Sequence, residues 1–281
     1  MTPLLPRSVA IFGPGLLGGS ILLALRERHP SIRRIAWARR PEALDPLRGG
    51  PASLATTDAR EAARGADLII LCTPIGAMPA LFESILPELT PDTLVTDVGS
   101  VKTPVHTALS PKAAGRCQWL GSHPMAGSDK AGIENARPGL FQDATTILTP
   151  GPDTPDTTIE RLAEFWIALG CTILQTSPET HDRHVAAVSH LPHLLAAVLI
   201  NSIPPAALAC AGPGFRDVTR IAGGPPAMWA EILLENRAAL LTAMDAYEAE
   251  AAAIRLALAR GNAAAIEALL HKACQSRRSL V

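Results

Sequence analysis

The stretch GSHPMAG at residues 121–127 sets His123 among residues with almost no side chain and follows it with a proline. Its pattern fits neither a strand of period 2 nor a helix of period 3.6. A neutral imidazole can accept the hydroxyl proton released when a hydride leaves an alcohol carbon. Gly121, Ser122, Ala126 and Gly127 leave room for a ligand ring beside it. A histidine merely satisfied in a loop is the competing explanation, and residue type alone does not separate the two.

A second chemistry is offered by Gly13-x-Gly15-x-x-Gly18 in IFGPGLLGGS. In a dinucleotide-binding turn the first glycine permits the tight turn, the second lets backbone approach a pyrophosphate, and the third lets helix pack on strand. Leu16 and Leu17 open the helix whose N-terminal N–H groups would face the phosphates. The fingerprint gains meaning because a strand precedes it and a helix follows; the alternative is a glycine-rich turn that only packs well. Thr73 and Pro74 in CTP, and Gly99, Ser100 and Lys102 in DVGSVK, follow later strands and are candidate cofactor-lining residues. Ser100 also fits as the N-cap of a helix over VKTPVHTAL.

The end of the second strand bears on cofactor type. In NAD-binding sheets an acid there accepts hydrogen bonds from the adenosine ribose and repels a 2′-phosphate. Here the chain reads Trp37-Ala38-Arg39-Arg40, with no acid until Glu42. Ala38 followed by two guanidinium groups favours NADP over NAD. Arg39 and Arg40 as solvated loop charges, or one of them stacked on the adenine of NAD, is the other possibility.

These residues need a scaffold that brings strand ends to one edge. Runs rich in β-formers at residues 8–13, 32–38, 66–74, 92–100, 117–123, 145–150 and 171–177 alternate with helical stretches such as LLGGSILLALRERH and AMPALFESILPEL. The alternation predicts a doubly wound, mainly parallel α/β sheet of Rossmann type, with His123 ending the strand CQWLGS at the ligand edge. From about Pro178 the strand signal stops, and Ala, Leu, Glu and Arg recur at helical spacing. A dinucleotide-binding domain over 1–178 and an all-helical domain over 179–281 are expected, with a turn at Gly261-Asn262. The Pro/Asp-rich segment 150–157 reads as a loop inside the first domain, because another strand follows it.

Composition narrows the function. The 281 residues, 48% hydrophobic, can bury a sizeable core. With 25 basic and 26 acidic residues the net charge is −1, so no global field draws the chain to nucleic acid or an anionic membrane. A small molecule is the expected partner. Cys72, Cys117, Cys171, Cys210 and Cys274 are odd in number and form no C-x-x-C pair, which points away from disulfides and zinc and toward a cytoplasmic location. The apolar N-terminus is cut by the fingerprint glycines and does not read as a signal peptide. The longest apolar stretch, 194–212, holds Asn201, Ser202 and Pro204-Pro205, and reads as buried helix at a subunit contact. His181, His184, His190 and His193 include i,i+3 pairs. No carboxylate or cysteine spacing completes a ligand set and Pro192 interrupts the helix, so no metal is expected.

The segments GPGLLGGS, DVGSVK, GSHPMAGSDKAGIENARPGLF, HDRHVAAVSHLPHLLA and GFRDVTRIAGGPPAMWAEILLENR together resemble the TyrA family of prephenate and arogenate dehydrogenases, in order and spacing from about residue 8 to about residue 250. The resemblance implies a homodimer built through the helical domain, with the active site between the two domains. It implies oxidative decarboxylation of prephenate (or arogenate) to 4-hydroxyphenylpyruvate (or tyrosine) in tyrosine biosynthesis, with hydride passing from ring C4 to NAD(P)+ as CO2 leaves. His123 would accept the C4 hydroxyl proton, and Ser100 would contact that histidine and the nicotinamide end of the cofactor. Arg220, in DVTRIAGG, would bind a substrate carboxylate, for which a guanidinium fork is the best match. His193 and Ser189 would line the same pocket and Trp229 would close it. The chain has no room before Ser8 for a fused chorismate mutase domain and no alternating β pattern after residue 250 for a regulatory one. Feedback inhibition by tyrosine would then have to act at the active site.

Two other classes compete. Another reductase of this architecture, acting on a small hydroxy or imino acid, need not pair a GSHP histidine with a TRIA arginine. A catalytically silent dinucleotide-binding sensor need not combine His123, Ser100, Arg220 and His193.

Overall fold

The computed structural model describes residues 5–127 and 130–279, so Ser128 and Asp129 of the histidine-bearing motif lie outside the described residues. The first part of the chain runs β1 (Ser8–Phe12), α1 (Leu16–Arg28), β2 (Arg33–Trp37), β3 (Leu54–Thr56), α2 (Ala59–Ala63), β4 (Leu68–Leu71), α3 (Met78–Ile85), β5 (Leu94–Asp97), α4 (Thr103–Ala113), β6 (Gln118–Trp119), β7 (Gly121–Pro124), β8 (Thr145–Thr149), α5 (Asp156–Ala168) and β9 (Thr172–Gln175). Helices follow: α6 (Pro178–Val185), α7 (Leu191–Ser202), α8 (Pro213–Thr219), α9 (Pro226–Glu235), α10 (Arg237–Ala259) and α11 (Ala263–Arg278).

Six parallel strands form a sheet in the order β3-β2-β1-β4-β5-β6. Strands β1, β4 and β5 are buried along their whole length, as a sheet covered by helices on both faces requires. Alternate residues of β1 feed two apolar clusters: Val9 and Ile11 join Leu25 and Trp166 on one face, and Ala10 and Phe12 join Phe82 and Leu109 on the other. The strand order reverses between β1 and β4, which opens a ligand crevice at their carboxyl ends.

Residues 117–123 do not form the single strand expected from their composition. Strand β6 pairs parallel with β5 and stops at Trp119, whereas β7 pairs antiparallel with β8 in a separate sheet, β7-β8-β9, with His123 opposite Ile147. Ser122 makes the switch: its hydroxyl donates to the Asp97 carbonyl (2.6 Å) and its N–H to the Asp97 carboxylate (3.4 Å). The chain thus leaves the β5 ladder but stays tied to the end of β5. His123 therefore sits within a strand of the second sheet, not at the end of a strand of the first.

Helices α6 and α7 are one continuous 25-residue helix, Pro178–Ser202, joined through a π turn, Ala186–His190. Pro192 does not interrupt it, because the wider turn just before accommodates a residue that lacks an N–H. This helix is long and apolar enough to cross a bilayer. Its His181, Asp182, His190 and His193 are nevertheless buried against protein. Gly261, at φ +58°, ends α10, and Asn262 caps α11 by accepting from the Ala265 N–H (3.1 Å).

Candidate active site

The crevice between β1 and β4 is a cavity of about 560 Å³ whose lining includes Gly13, Gly15, Ala38, Arg39, Arg40, Thr73 and Pro74. Each fingerprint glycine has its own reason. Gly13 has φ +99°, and a Cβ there would lie 2.9 Å from the Cys72 carbonyl oxygen; on Gly18 it would lie 2.5 Å from the Gly13 carbonyl oxygen. On Gly15 it would meet nothing within 4 Å, because the position faces open space at the N-terminus of α1. Thr73 Oγ1 is buried with no hydrogen-bond partner among the described residues, a group that a ligand can satisfy. These features fit a dinucleotide. Leu16 and Leu17 form the first turn of α1 and pack on the core, so they offer the crevice backbone rather than side chain.

Lys102 is not available to a cofactor. It is fully buried, ion-paired with Asp97, and donates from Nζ to the Ser122 carbonyl (2.8 Å). Burial lowers its pKa and Asp97 opposes the shift. Gly99 is pinned by its N–H, which donates to the same Asp97 carboxylate (2.8 Å). Nor does Ser100 cap α4. The helix begins at Thr103, and the carboxylate of Asp182 accepts the N–H groups of Lys102 (2.7 Å) and Thr103 (2.8 Å). Ser100 is half-buried between β5 and α4, and its hydroxyl makes no hydrogen bond among the described residues.

His123 is buried on β7, and its Nδ1 lies 2.8 Å from Nε2 of His181. Nδ1 of His181 lies 2.8 Å from Oδ1 of Asp182. His181, not Ser100, is thus the hydrogen-bond partner of His123. Burial, reinforced by His181, Lys102 and His190, holds the His123 pKa well below that of a free imidazole, so the ring is neutral. His190 completes the group. Asn236 Nδ2 reaches its Nδ1 (3.1 Å) and donates to the Asp182 carbonyl (2.8 Å), while His190 Nε2 is buried without a partner among the described residues. Burial brings the His190 pKa down to about 4.

The wall beyond this cluster comes from α7 and α9. His193 stacks on Trp229 with ring centroids 3.4 Å apart and planes 13° from parallel, and its Nδ1 is buried without a partner among the described residues. Gly224 is pressed against both rings, since a Cβ there would lie 2.5 Å from Trp229 Nε1 and 3.2 Å from His193 Cε1. It directly follows the 3-10 turn Arg220–Gly223, which packs on α7. Arg220 is exposed and has neither an ion pair nor a hydrogen bond among the described residues, so no surface salt bridge occupies it. Ser189 is half-buried in the π turn. Glu231 on α9 accepts from the Gly76 N–H (2.7 Å) and so ties the helical part to the turn after β4.

The described residues thus offer a dinucleotide crevice at the sheet edge, a neutral buried imidazole where β7 meets α6, and an unpaired guanidinium on the turn that packs on α7. Residues 23–175 match the family model for the nucleotide-binding domain of prephenate dehydrogenase, and residues 177–272 match its dimerization domain. The chain belongs to the prephenate dehydrogenase family. Within reach of that family, the cyclohexadienyl dehydrogenase of Zymomonas mobilis is 34% identical over 90% of this chain and 89% of its own. The crystal structure of Aquifex aeolicus prephenate dehydrogenase with hydroxyphenyl propionate and NAD+ superposes with a TM-score of 0.88 at 28% identity, covering 98% of both chains. Synechocystis arogenate dehydrogenase gives 0.82 at 29%, covering 98% of this chain and 100% of its own. Membership of the prephenate dehydrogenase family sets aside both the hydroxy- or imino-acid reductase and the silent sensor. His181, Asp182, His190 and Glu231 were not singled out as site residues by sequence. The one signal for the first pair was a histidine next to an aspartate at the head of a helix.

Proposed function

We propose that this chain oxidatively decarboxylates prephenate or arogenate with hydride transfer to NAD(P)+, a step of tyrosine biosynthesis. The observation that carries this is His123: a buried, neutral imidazole, held through Nδ1 at the boundary between the sheets and the helices. Bound dinucleotide supplies the hydride acceptor. Gly13, Gly15 and the first turn of α1 hold its phosphates, and Thr73 and Ser100 offer it free hydroxyls. His123 takes the ring hydroxyl proton as the C4 hydrogen leaves, the ring carboxylate departs as CO2, and aromatisation drives the step. Arg220 binds a substrate carboxylate through its unpaired guanidinium. His193, Ser189 and Trp229 line the ring pocket, with the stacked indole and imidazole offering a flat apolar wall.

NADP is the preferred cofactor, because exposed Arg39 and Arg40 flank a crevice in which β2 ends without an acid. The chain divides near residue 178 into a dinucleotide-binding and a helical substrate-binding domain. It acts as a cytoplasmic homodimer, in keeping with five unpaired cysteines. Formation of reduced cofactor, followed with prephenate and with arogenate and with NAD and NADP in turn, tests the reaction and the cofactor preference. No turnover of either substrate overturns the function. A higher kcat/KM with NAD overturns the cofactor preference. If NADP wins, Arg39→Ala or Arg40→Ala should weaken NADP and spare NAD.

A further inference from the structure

We propose that His181 and Asp182 are positioning residues for His123: they fix its ring with Nδ1 protonated and Nε2 free, and they receive the positive charge that arises when Nε2 takes the substrate proton. The proposal rests on the reading of His123 as the base.

Asp182 anchors the hydrogen bonds. Its Oδ1 accepts from the Lys102 N–H and its Oδ2 from the Thr103 N–H. Burial works against its ionisation, but the bonds from His181, Thr103 and Lys102 prevail and hold its pKa below the usual carboxylate value. An ionised carboxylate only accepts. His181 Nδ1, 2.8 Å from Oδ1, must therefore carry the hydrogen. Burial keeps His181 neutral against the pull of Asp182, and a neutral imidazole has one donor and one acceptor. Nε2 of His181 is thus the acceptor, and Nδ1 of His123, 2.8 Å away, is the donor. That leaves the lone pair of His123 on Nε2.

The same path handles the charge. Protonated at Nε2, His123 is a buried cation close to Lys102, His181 and His190. Lys102 is already paired with Asp97, so Asp182 is the carboxylate connected to His123 through hydrogen bonds. When the Nδ1 proton crosses to His181 Nε2, one N–H bond breaks on His123 and one forms on His181, and the cation ends beside Asp182. No other bond changes. His123 belongs to β7 and its two positioning residues to α6, whose carboxylate also closes the N-terminus of α4. Docking of the helical part and setting of the base are one event.

Nitrogen-15 NMR of the histidine rings in the intact, ligand-free protein reads the tautomer directly. The expected state at neutral pH is His123 with hydrogen on Nδ1 alone; hydrogen on Nε2 overturns the proposal. Asp182→Asn is the second arm. Its amide can donate to His181 Nδ1, which inverts His181 and forces the His123 proton onto Nε2. kcat should fall by about 10² to 10⁴, with KM and cofactor Kd moving by less than about threefold. Retention of kcat within about threefold overturns the proposal. His181→Phe leaves the α4 cap in place, keeps a ring of similar size but removes the acceptor of His123 Nδ1, and should give the same split, so a poorly folding Asp182 variant does not remove the test. A protein that shows the expected tautomer yet turns over neither prephenate nor arogenate supports the hydrogen-bond assignment and overturns the function, which keeps the two failures apart.

Discussion

At the scale of the residue, His123→Asn should lower kcat by about 10² to 10⁴ while cofactor affinity holds, because the imidazole is not among the groups that line the crevice. A loss below about tenfold removes His123 from the mechanism. Its depressed pKa also fixes the pH profile. The base is already free at neutral pH, so kcat/KM should stay flat through neutrality and fall only well below pH 6.5. An acidic limb centred above neutrality contradicts this. Arg220→Ala should act mainly on KM, since its carboxylate partner is charged before the reaction begins; an unchanged KM for both substrates makes Arg220 structural. His123 stood out in the sequence as a candidate because its neighbours are small, although the space beside Gly121 is taken by His106 and Thr149. Its partner did not, because His181 lies 58 positions away on an element whose orientation no local pattern supplies. Lys102 misled for a related reason: a lysine just past a strand end reads as facing a ligand, yet Asp97, five positions earlier, draws it into the interior.

At the scale of the element, the glycine turn separates fold from function. Gly15→Val places its Cβ in open space, so the melting temperature should hardly move while cofactor affinity drops. Gly18→Val drives a side chain into the Gly13 carbonyl and should cost about 1–3 kcal/mol of stability, as overpacked sites do. Thermal melts paired with cofactor titrations check both, and equal effects on stability contradict the division of roles. The alternation of strands and helices was plain in the sequence, as were the ends of α10 and α11 at Gly261-Asn262. Two features were not. Strand β3 has three residues, too few to show a period. The break at Leu120 depends on the tie between Ser122 and Asp97, a contact 25 positions apart that residue pattern does not encode.

At the scale of the whole molecule, the last helices are poorly covered by their own chain. α10 buries Leu240 and Ala257, and α11 buries none of its residues. Leu241, Tyr247, Leu256, Leu258 and Leu270 along them are exposed, a surface suited to a symmetric partner. Sedimentation at micromolar concentration should give a species of twice 29.5 kDa; a single species at 29.5 kDa contradicts the dimer. The proposed reaction couples loss of a hydride to loss of a carboxylate at one site. Its most direct test measures CO2 and reduced cofactor together, in one reaction with prephenate or arogenate. The two should appear in equal amounts and at the same rate. Cofactor reduction without CO2 would mean a plain alcohol dehydrogenase and would contradict that coupling.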